Sequence, residues 1–176
     1  MGLDTLLART WVRSYDTITS TLSKRLCYGL YDGDRLEAHR RAKGEVQVLF
    51  CIPPMSDVNG ALPHPGVQIL QTILREQGFS CEVLNYNLPC IHPRDPFDHL
   101  IRAIKALGVR VLGVSTYSQA IRNTLEGLQR VRAACPDVHV VLGGPHPTES
   151  YLSVMGVSFV DYVCRSEAEK SFPALV

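Results

Sequence analysis

From residue 46 to the C-terminus, short apolar runs alternate with stretches of helical spacing, and this alternation constrains the fold more than any other feature of the chain. "VQVLFCI" (46–52) is rich in β-branched and aromatic residues and reads as a buried strand. A proline-rich loop, "PPMSDVNGALPHPG", follows it. "VQILQTILREQG" then places Val67, Leu70, Ile73 and Leu74 on one helical face and stops at Gly78. The same pairing recurs with "FSCEVLNYN" and "PFDHLIRAIKALG", with "VRVLGVST" and "YSQAIRNTLEGLQRVRAACP", and with "VHVVLGG" and "PTESYLSVMG". A fifth strand, "VSFVDYVCR" (157–165), leads into a last helix that begins in "SEAEKSFPALV". Strands that alternate with helices imply a doubly wound α/β fold, Rossmann-like or flavodoxin-like. The expected sheet has five parallel strands with helices on both faces. Open sheets of this kind bind ligands at the carboxyl ends of their strands.

Residues 1–42 follow another rule. Leu3, Leu7, Trp11, Tyr15, Ile18, Leu22 and Leu26 form one apolar stripe at helical spacing, broken at Gly29 and "YDGD" (31–34). They predict a helical N-terminal extension, over 1–42, to a domain over 43–176. Its stripe packs on that domain or on a partner.

The formal net charge of +1 provides no field to draw in nucleic acid or an anionic membrane. The basic run "HRRAK" (39–43) has no interleaved aromatics and reads as a solvated face. No segment is apolar for long enough to span a bilayer, and no signal peptide is legible. The six cysteines form no CxxC pair, which fits reduced thiols in a cytoplasmic protein. Cys90 and His92 make a CxH pair in a proline-rich loop and read as ordinary loop residues.

The chemistry is expected in the loops that leave the strands. Ser115, Thr116 and Tyr117 follow the third strand, and Gly143 and Gly144 end the fourth. Small residues there leave a slot in the sheet edge, and the two hydroxyls can donate to a phosphate or an amide. Alternatively, Gly143-Gly144 is only a tight strand-to-helix turn. A dinucleotide site requires GxGxxG after the first strand, where this chain has "PPMSDVNG". No Walker A loop and no GxSxG elbow occurs. A phosphoacceptor receiver needs carboxylates where this chain has Ile52-Pro53-Pro54 and Ser115-Thr116.

Taken together, "VLFCIPP", "HPGVQILQTILREQGFSCEVLNYN", "VRVLGVSTYS", "VVLGGPHPT" and "VDYVCRSEAEKSFPAL" resemble the N-terminal cobalamin-binding domain of cobalamin-dependent radical S-adenosylmethionine enzymes. The resemblance runs from about residue 46 to the end, and its most specific piece is "GGPHPT" combined with Asp161 and "SEAE". In that family the last piece usually reads GEGE. Arg165-Ser166 departs from that opening, and Glu167 and Glu169 are the matches.

The resemblance implies cobalamin as the cofactor, its nucleotide tail threaded between the sheet edge and the helices. It puts Pro54, His64, Pro65 and Gly66 at the first loop and Asn85 at the second. Ser115, Thr116 and Tyr117 serve the third, and Gly143, Gly144, Pro145, His146 and Pro147 the fourth. Glu167 belongs to the fifth. Pro145 and Pro147 would stiffen their loop near the corrin. On this reading Gly144→Leu blocks the tail and spares the fold, provided that the glycine does not have positive φ.

Related corrinoid carriers and mutases hold cobalt from below with the histidine of DxHxxG. With Gly66 at the motif's glycine, Pro63 stands at the histidine and Ala61 at the aspartate. His64 is one residue off and reads as a non-ligand, so no residue is assigned to the metal. The resemblance therefore implies base-off binding without a histidine lower ligand, in the module of a radical enzyme, a methyltransferase before other classes. The full enzyme would also hold a [4Fe–4S] cluster and S-adenosylmethionine, in a radical domain in cis or in trans. The cluster motif CxxxCxxC is absent from these 176 residues, which should bind a cofactor and catalyse nothing alone. The alternatives are a stand-alone corrinoid carrier or sensor, and a different doubly wound domain for a sugar nucleotide or a flavin.

Overall fold

In the computed structural model the described residues are 30, 33–55, 64–88 and 93–176. The apolar stripe of residues 3–26, the Cys90–His92 pair, and Ala61 and Pro63 of the departed ligand motif lie outside them. The strands are β1 (Val48–Ile52), β2 (Cys81–Asn85), β3 (Val111–Ser115), β4 (His139–Gly143) and β5 (Tyr162–Val163). The helices are α1 (Gly33–Lys43), α2 (Pro65–Glu76), α3 (Pro96–Leu107) and α4 (Ile121–Ala134), followed by the short α5 (Pro145–Glu149), α6 (Tyr151–Met155) and α7 (Ser171–Leu175). All the strand pairs are parallel, in the order β2-β1-β3-β4-β5. The expected doubly wound sheet is therefore observed, with its switch of direction between β1 and β3.

Strand side chains alternate between the two faces, and the faces are covered unequally. Leu49 and Cys51 of β1, Leu112 and Val114 of β3, and Val140 and Leu142 of β4 join a core built with α1, α3, α4 and α6. Val48, Phe50 and Ile52 face the other way, with Val141, and among the described residues meet α2 and α7 through Val67, Leu74 and Phe172. Residues 33–42, placed in the N-terminal extension by the sequence, send the buried Leu36 into the first core. Within "YDGD", where a break in the stripe is expected, Tyr31 and Asp32 lie outside the described residues and α1 starts at Gly33. Glu82 of β2 pairs with His39 and Lys43 of α1 and with Arg75 of α2, at 3.3, 3.5 and 3.4 Å.

Helix ends follow local chemistry. Asp95 caps α3, accepting from the backbone N–H groups of Phe97 and Asp98 at 2.9 and 3.0 Å. These bonds, with Arg130 beside them, hold its carboxyl below the usual range. Gly108 ends the helix in the left-handed region.

The C-terminal third departs from the sequence reading. The single helix expected in "PTESYLSVMG" is split at Ser150 into α5 and α6, and α5 begins two residues early, at Pro145. The expected strand over 157–165 shrinks to Tyr162–Val163. A turn closed by Val160 N–H to the Val157 carbonyl occupies its start. Asp161 then takes both backbone groups of Val140: its N–H donates to the carbonyl at 2.9 Å and its Oδ2 accepts from the N–H at 2.6 Å. Arg132 also pairs with this carboxylate. A side chain thus replaces a rung of the ladder.

Gly127 fixes how closely α4 approaches α3. A Cβ there would lie 2.3 Å from two ring atoms of the buried Phe97. Gly127→Ala gains about 1 kcal/mol of helix propensity. Overpacking the ring costs ~1–3 kcal/mol and should win. Urea unfolding is expected to show a less stable variant; a more stable one would contradict this packing.

Candidate cofactor cleft at the carboxyl edge

The pleat separates the two hydroxyls that follow one another at the end of β3. Ser115 faces the side of the sheet covered by α2 and α7. Thr116 faces the other side and is 1% exposed. Its Oγ1 pairs with Thr124 Oγ1 of α4 at 3.2 Å, and Thr124 Oγ1 donates on to the Ala120 carbonyl. Thr116 is thus a core residue whose hydroxyl is spent on α4, so the expected pair of ligand-facing hydroxyls reduces to Ser115.

A cleft of about 120 Å³ opens on the α2–α7 side. Its floor is Phe50, Gly113 and Val141 of the three central strands. Val67 and Leu70 of α2 form one wall, and Ala168 and Phe172 of the α7 segment the other. Gly66, Ser115, Gly143 and Gly144 stand at its upper end, and Cys164 completes it. Gly113 is the residue that the sequence reading passed over. A Cβ on it would sit 2.8 Å from Phe50 and 3.1 Å from Phe172, whose rings are 5.1 Å apart. A lone glycine inside a strand marks such a close approach, and that signal was present in "VLGVS".

The two glycines that end β4 have different work. Gly143 has room: an added Cβ would find nothing nearer than Cys164, at 3.7 Å. Gly144 has φ +101°, and its Cβ would lie 2.8 Å from both the backbone nitrogen and the carbonyl oxygen of Thr116. The two glycines therefore differ: the open space at the sheet edge is at Gly143, and Gly144, where the sequence suggested a close ligand approach, makes the strand-to-helix turn. The expectation that Gly144→Leu spares the fold is overturned by that positive φ and that backbone contact.

The other expected site residues surround the cleft without lining it. Pro54 is half-buried after β1, and the exposed Pro65 opens α2. His64 is 8% exposed at the N-cap of α2, its ring edge-on to Tyr117 at 5.8 Å. Burial lowers its pKa, so the imidazole is neutral at pH 7. Asn85 is a buried tie: its Oδ1 accepts from the Asn87 N–H at 3.0 Å, and Asn87 Nδ2 donates to the Pro53 carbonyl at 2.9 Å. Asn87, held by Asn85, ties the first residues of the loops after β1 and β2 together, its Oδ1 also accepting from the Met55 N–H at 2.7 Å. Pro145 is exposed and Pro147 buried, both within α5. His146 pairs through Nδ1 with Ser118 Oγ at 3.0 Å. Glu167 is exposed. Thr148, the last residue of "GGPHPT", links two loops: its Oγ1 donates to the Gly144 carbonyl and accepts from the Ser166 N–H, at 2.9 and 3.0 Å. Ser166 there has φ 56°, a conformation that favours glycine.

Apart from Phe50, the lining of this cleft lies in a stretch with a family assignment. The family model described as the B12 binding domain matches residues 54–176. The chain belongs to the B12-binding domain family. Solved structures agree on the fold of this B12-binding domain. The radical S-adenosylmethionine methyltransferase TsrM from Kitasatospora setae, solved with cobalamin and a [4Fe–4S] cluster bound, is 20% identical with a TM-score of 0.63, over 74% of this chain and 24% of TsrM. The TsrM structure with tryptophan substrate and the analogue aza-SAM gives 19% identity and a TM-score of 0.62, over 74% and 25% of the two chains. This chain thus spans about a quarter of TsrM's length. A CheY-like protein, TadZ from Pseudomonas aeruginosa, also matches in fold, at 14% identity and a TM-score of 0.50, over 73% and 97% of the two chains. No curated protein matches the chain in sequence.

The different work of the two glycines is testable by stability alone. Gly144→Ala should lose ~1–3 kcal/mol in urea unfolding, from backbone strain at positive φ. Gly143→Ala should stay within about 0.5 kcal/mol of the parent. Equal losses would contradict the assignment.

Proposed function

We propose that this domain is the cobalamin-binding module of a radical S-adenosylmethionine enzyme, in first place a methyltransferase, and that it holds cobalamin base-off with no histidine below the cobalt. The observation that carries the reading is the apolar cleft over Gly113 and Gly143, at the carboxyl edge of a B12-binding domain. Those residues fit the cofactor's nucleotide tail, because the two glycines lack the side chains that would fill the cleft and the walls are apolar. When bound, cobalamin supplies a methyl carrier or a partner in radical chemistry.

The chain's own residues bind and exclude water. Gly66 and Gly143 admit the tail close to the backbone, and Ser115 offers a hydroxyl at the rim. Phe50 and Phe172 form a dry floor and wall. His64 remains a neutral ring packed on Tyr117. The likeness to TsrM supports a radical domain as partner, in cis or in trans. CxxxCxxC is absent from these 176 residues, so the cluster and S-adenosylmethionine would be held by that partner. No helix of the described residues is long and apolar enough to cross a membrane. The proposed setting is the cytoplasm.

Reconstitution with hydroxocobalamin followed by desalting should leave a coloured protein. A colourless eluate from folded protein would refute cobalamin binding. Gly143→Leu, which fills the cleft from its upper end, should weaken binding at least ~10-fold while circular dichroism stays unchanged. Unchanged affinity in that folded variant would place the tail elsewhere.

The lower face is read by electron paramagnetic resonance of the Co(II) state. An axial nitrogen splits the cobalt lines into triplets, and none is expected here. Triplets that vanish in His64→Ala would show a histidine ligand built out of register. Triplets that persist would point to a retained benzimidazole or to His146.

A further inference from the structure

We infer that residues 167–176 gate the cleft: they swing out from Ser166 to admit the ligand and close on it again. The inference rests on the proposed function and concerns how that same site opens.

The space between α2 and α7 is small for its proposed guest. Its volume is about 120 Å³, against ~300–1,000 Å³ for usual small-molecule sites and ~150 Å³ for an apolar cavity that takes up benzene. A nucleotide tail carries a base, a ribose and a phosphate, so one wall has to yield.

The two walls are tied down differently. α2 has twelve residues, buries Val67 and Leu74, and donates from Gln71 and Arg75 to the Cys81 carbonyl of β2 at 3.3 and 2.9 Å. α7 has five residues and no side-chain cap. Its Pro173 has no N–H to give. Its other backbone bonds stay inside the segment: Phe172 N–H to the Ala168 carbonyl at 2.9 Å, Ala174 to Lys170 at 3.4 Å and Val176 to Phe172 at 3.3 Å. Among the described residues no backbone hydrogen bond joins 167–176 to the sheet. Side chains hold the segment instead. Phe172 lies over Gly113 with its ring 5.1 Å from that of Phe50, Leu175 and Val176 pack on the same core, and Ser171 meets the Cys164 thiol.

The chain ahead of the segment is fixed. Cys164 N–H donates to the Leu142 carbonyl at 2.8 Å, the Arg165 guanidinium lies 3.9 Å from the centre of the Tyr151 ring, and Ser166 N–H donates to Thr148 Oγ1 at 3.0 Å. The anchored part therefore ends at Ser166. Its φ of 56° is a left-handed conformation in which a serine is strained. Rotation about that bond relieves the strain, keeps the bond to Thr148 and carries Phe172 off Gly113. Segments held by local bonds and a few apolar contacts open without global unfolding. A ligand then binds the open fraction, and its association rate scales with that fraction.

The test is stopped-flow binding of cob(II)alamin, whose cobalt exchanges axial ligands quickly, to the full chain without oxygen. Ser171→Cys puts a second thiol beside Cys164, and the disulfide, verified by mass, locks the segment shut. The oxidised variant should associate at least ~10-fold more slowly than the same protein after reduction. Phe172→Ala, with its fold verified by circular dichroism, removes the anchor. Association should then be at least ~10-fold faster than in the parent, because burial of the ring no longer opposes opening. Dissociation should be faster too. A ring that served only as a wall would change dissociation alone. Equal association rates for oxidised and reduced Ser171→Cys would overturn the gate and leave the cobalamin reading intact. So would an unchanged association rate in Phe172→Ala, which decides the matter if the disulfide does not form. No binding by the parent chain would overturn the proposed function and the gate together.

Discussion

Successive residues of β3 point to opposite faces of the sheet, and much of the structure depends on that alternation. Leu112 and Val114 enter the large core under α3 and α4, and Thr116 continues the same side to Thr124. Val111, Gly113 and Ser115 belong to the other side, with Phe50 and Val141. Parallel strands buried on both faces need helices on both, and among the described residues this sheet has four on one side and two on the other. The thinner cover, α2 and the one-turn α7, leaves the central strands partly unfilled exactly where β3 and β4 carry glycine. A shift of register by one residue would exchange the faces. It would bury Ser115 against α4 and bring Thr116 to the cleft.

The same alternation explains which parts of the site were legible. Strand order and helix order follow from periodicity, since buried apolar runs and amphipathic stretches differ plainly in the sequence. The carboxyl edge was also legible, because small and hydroxylated residues end β3 and β4. The division of labour between neighbours was not read, although period two contains it for Ser115 and Thr116. Gly143 and Gly144 are harder. Their difference lies in a positive φ and a contact with Thr116, a residue distant in sequence. Asp161 was recognised as part of a motif, but its use of Val140 as a ladder partner needs the fold. The short β5 follows from that bond, which no hydropathy pattern reports.

Several residues of "GGPHPT" hold the edge together. Gly144 turns the chain under Thr116, and His146 N–H donates back to the Thr116 carbonyl at 3.3 Å. Thr148 joins the Gly144 carbonyl to the Ser166 N–H, tying the loop after β4 to the loop after β5. Asn85 and Asn87 do the same for the loops after β1 and β2. Among the described residues, these loops are thus fixed to one another in pairs at the carboxyl edge, and such pre-organisation would lower the ordering cost of binding there. The glycine of "GGPHPT" that opens the cleft is the first, and the rest of the motif keeps it open.

The most direct measurement is a crystal structure of this chain with cobalamin. The expected result is a nucleotide tail lying between α2 and α7, over Gly113 and Gly143, with its base against Phe50 and Phe172. Density for the base still coordinated to cobalt above the sheet, or a tail on the face covered by α3 and α4, would contradict it.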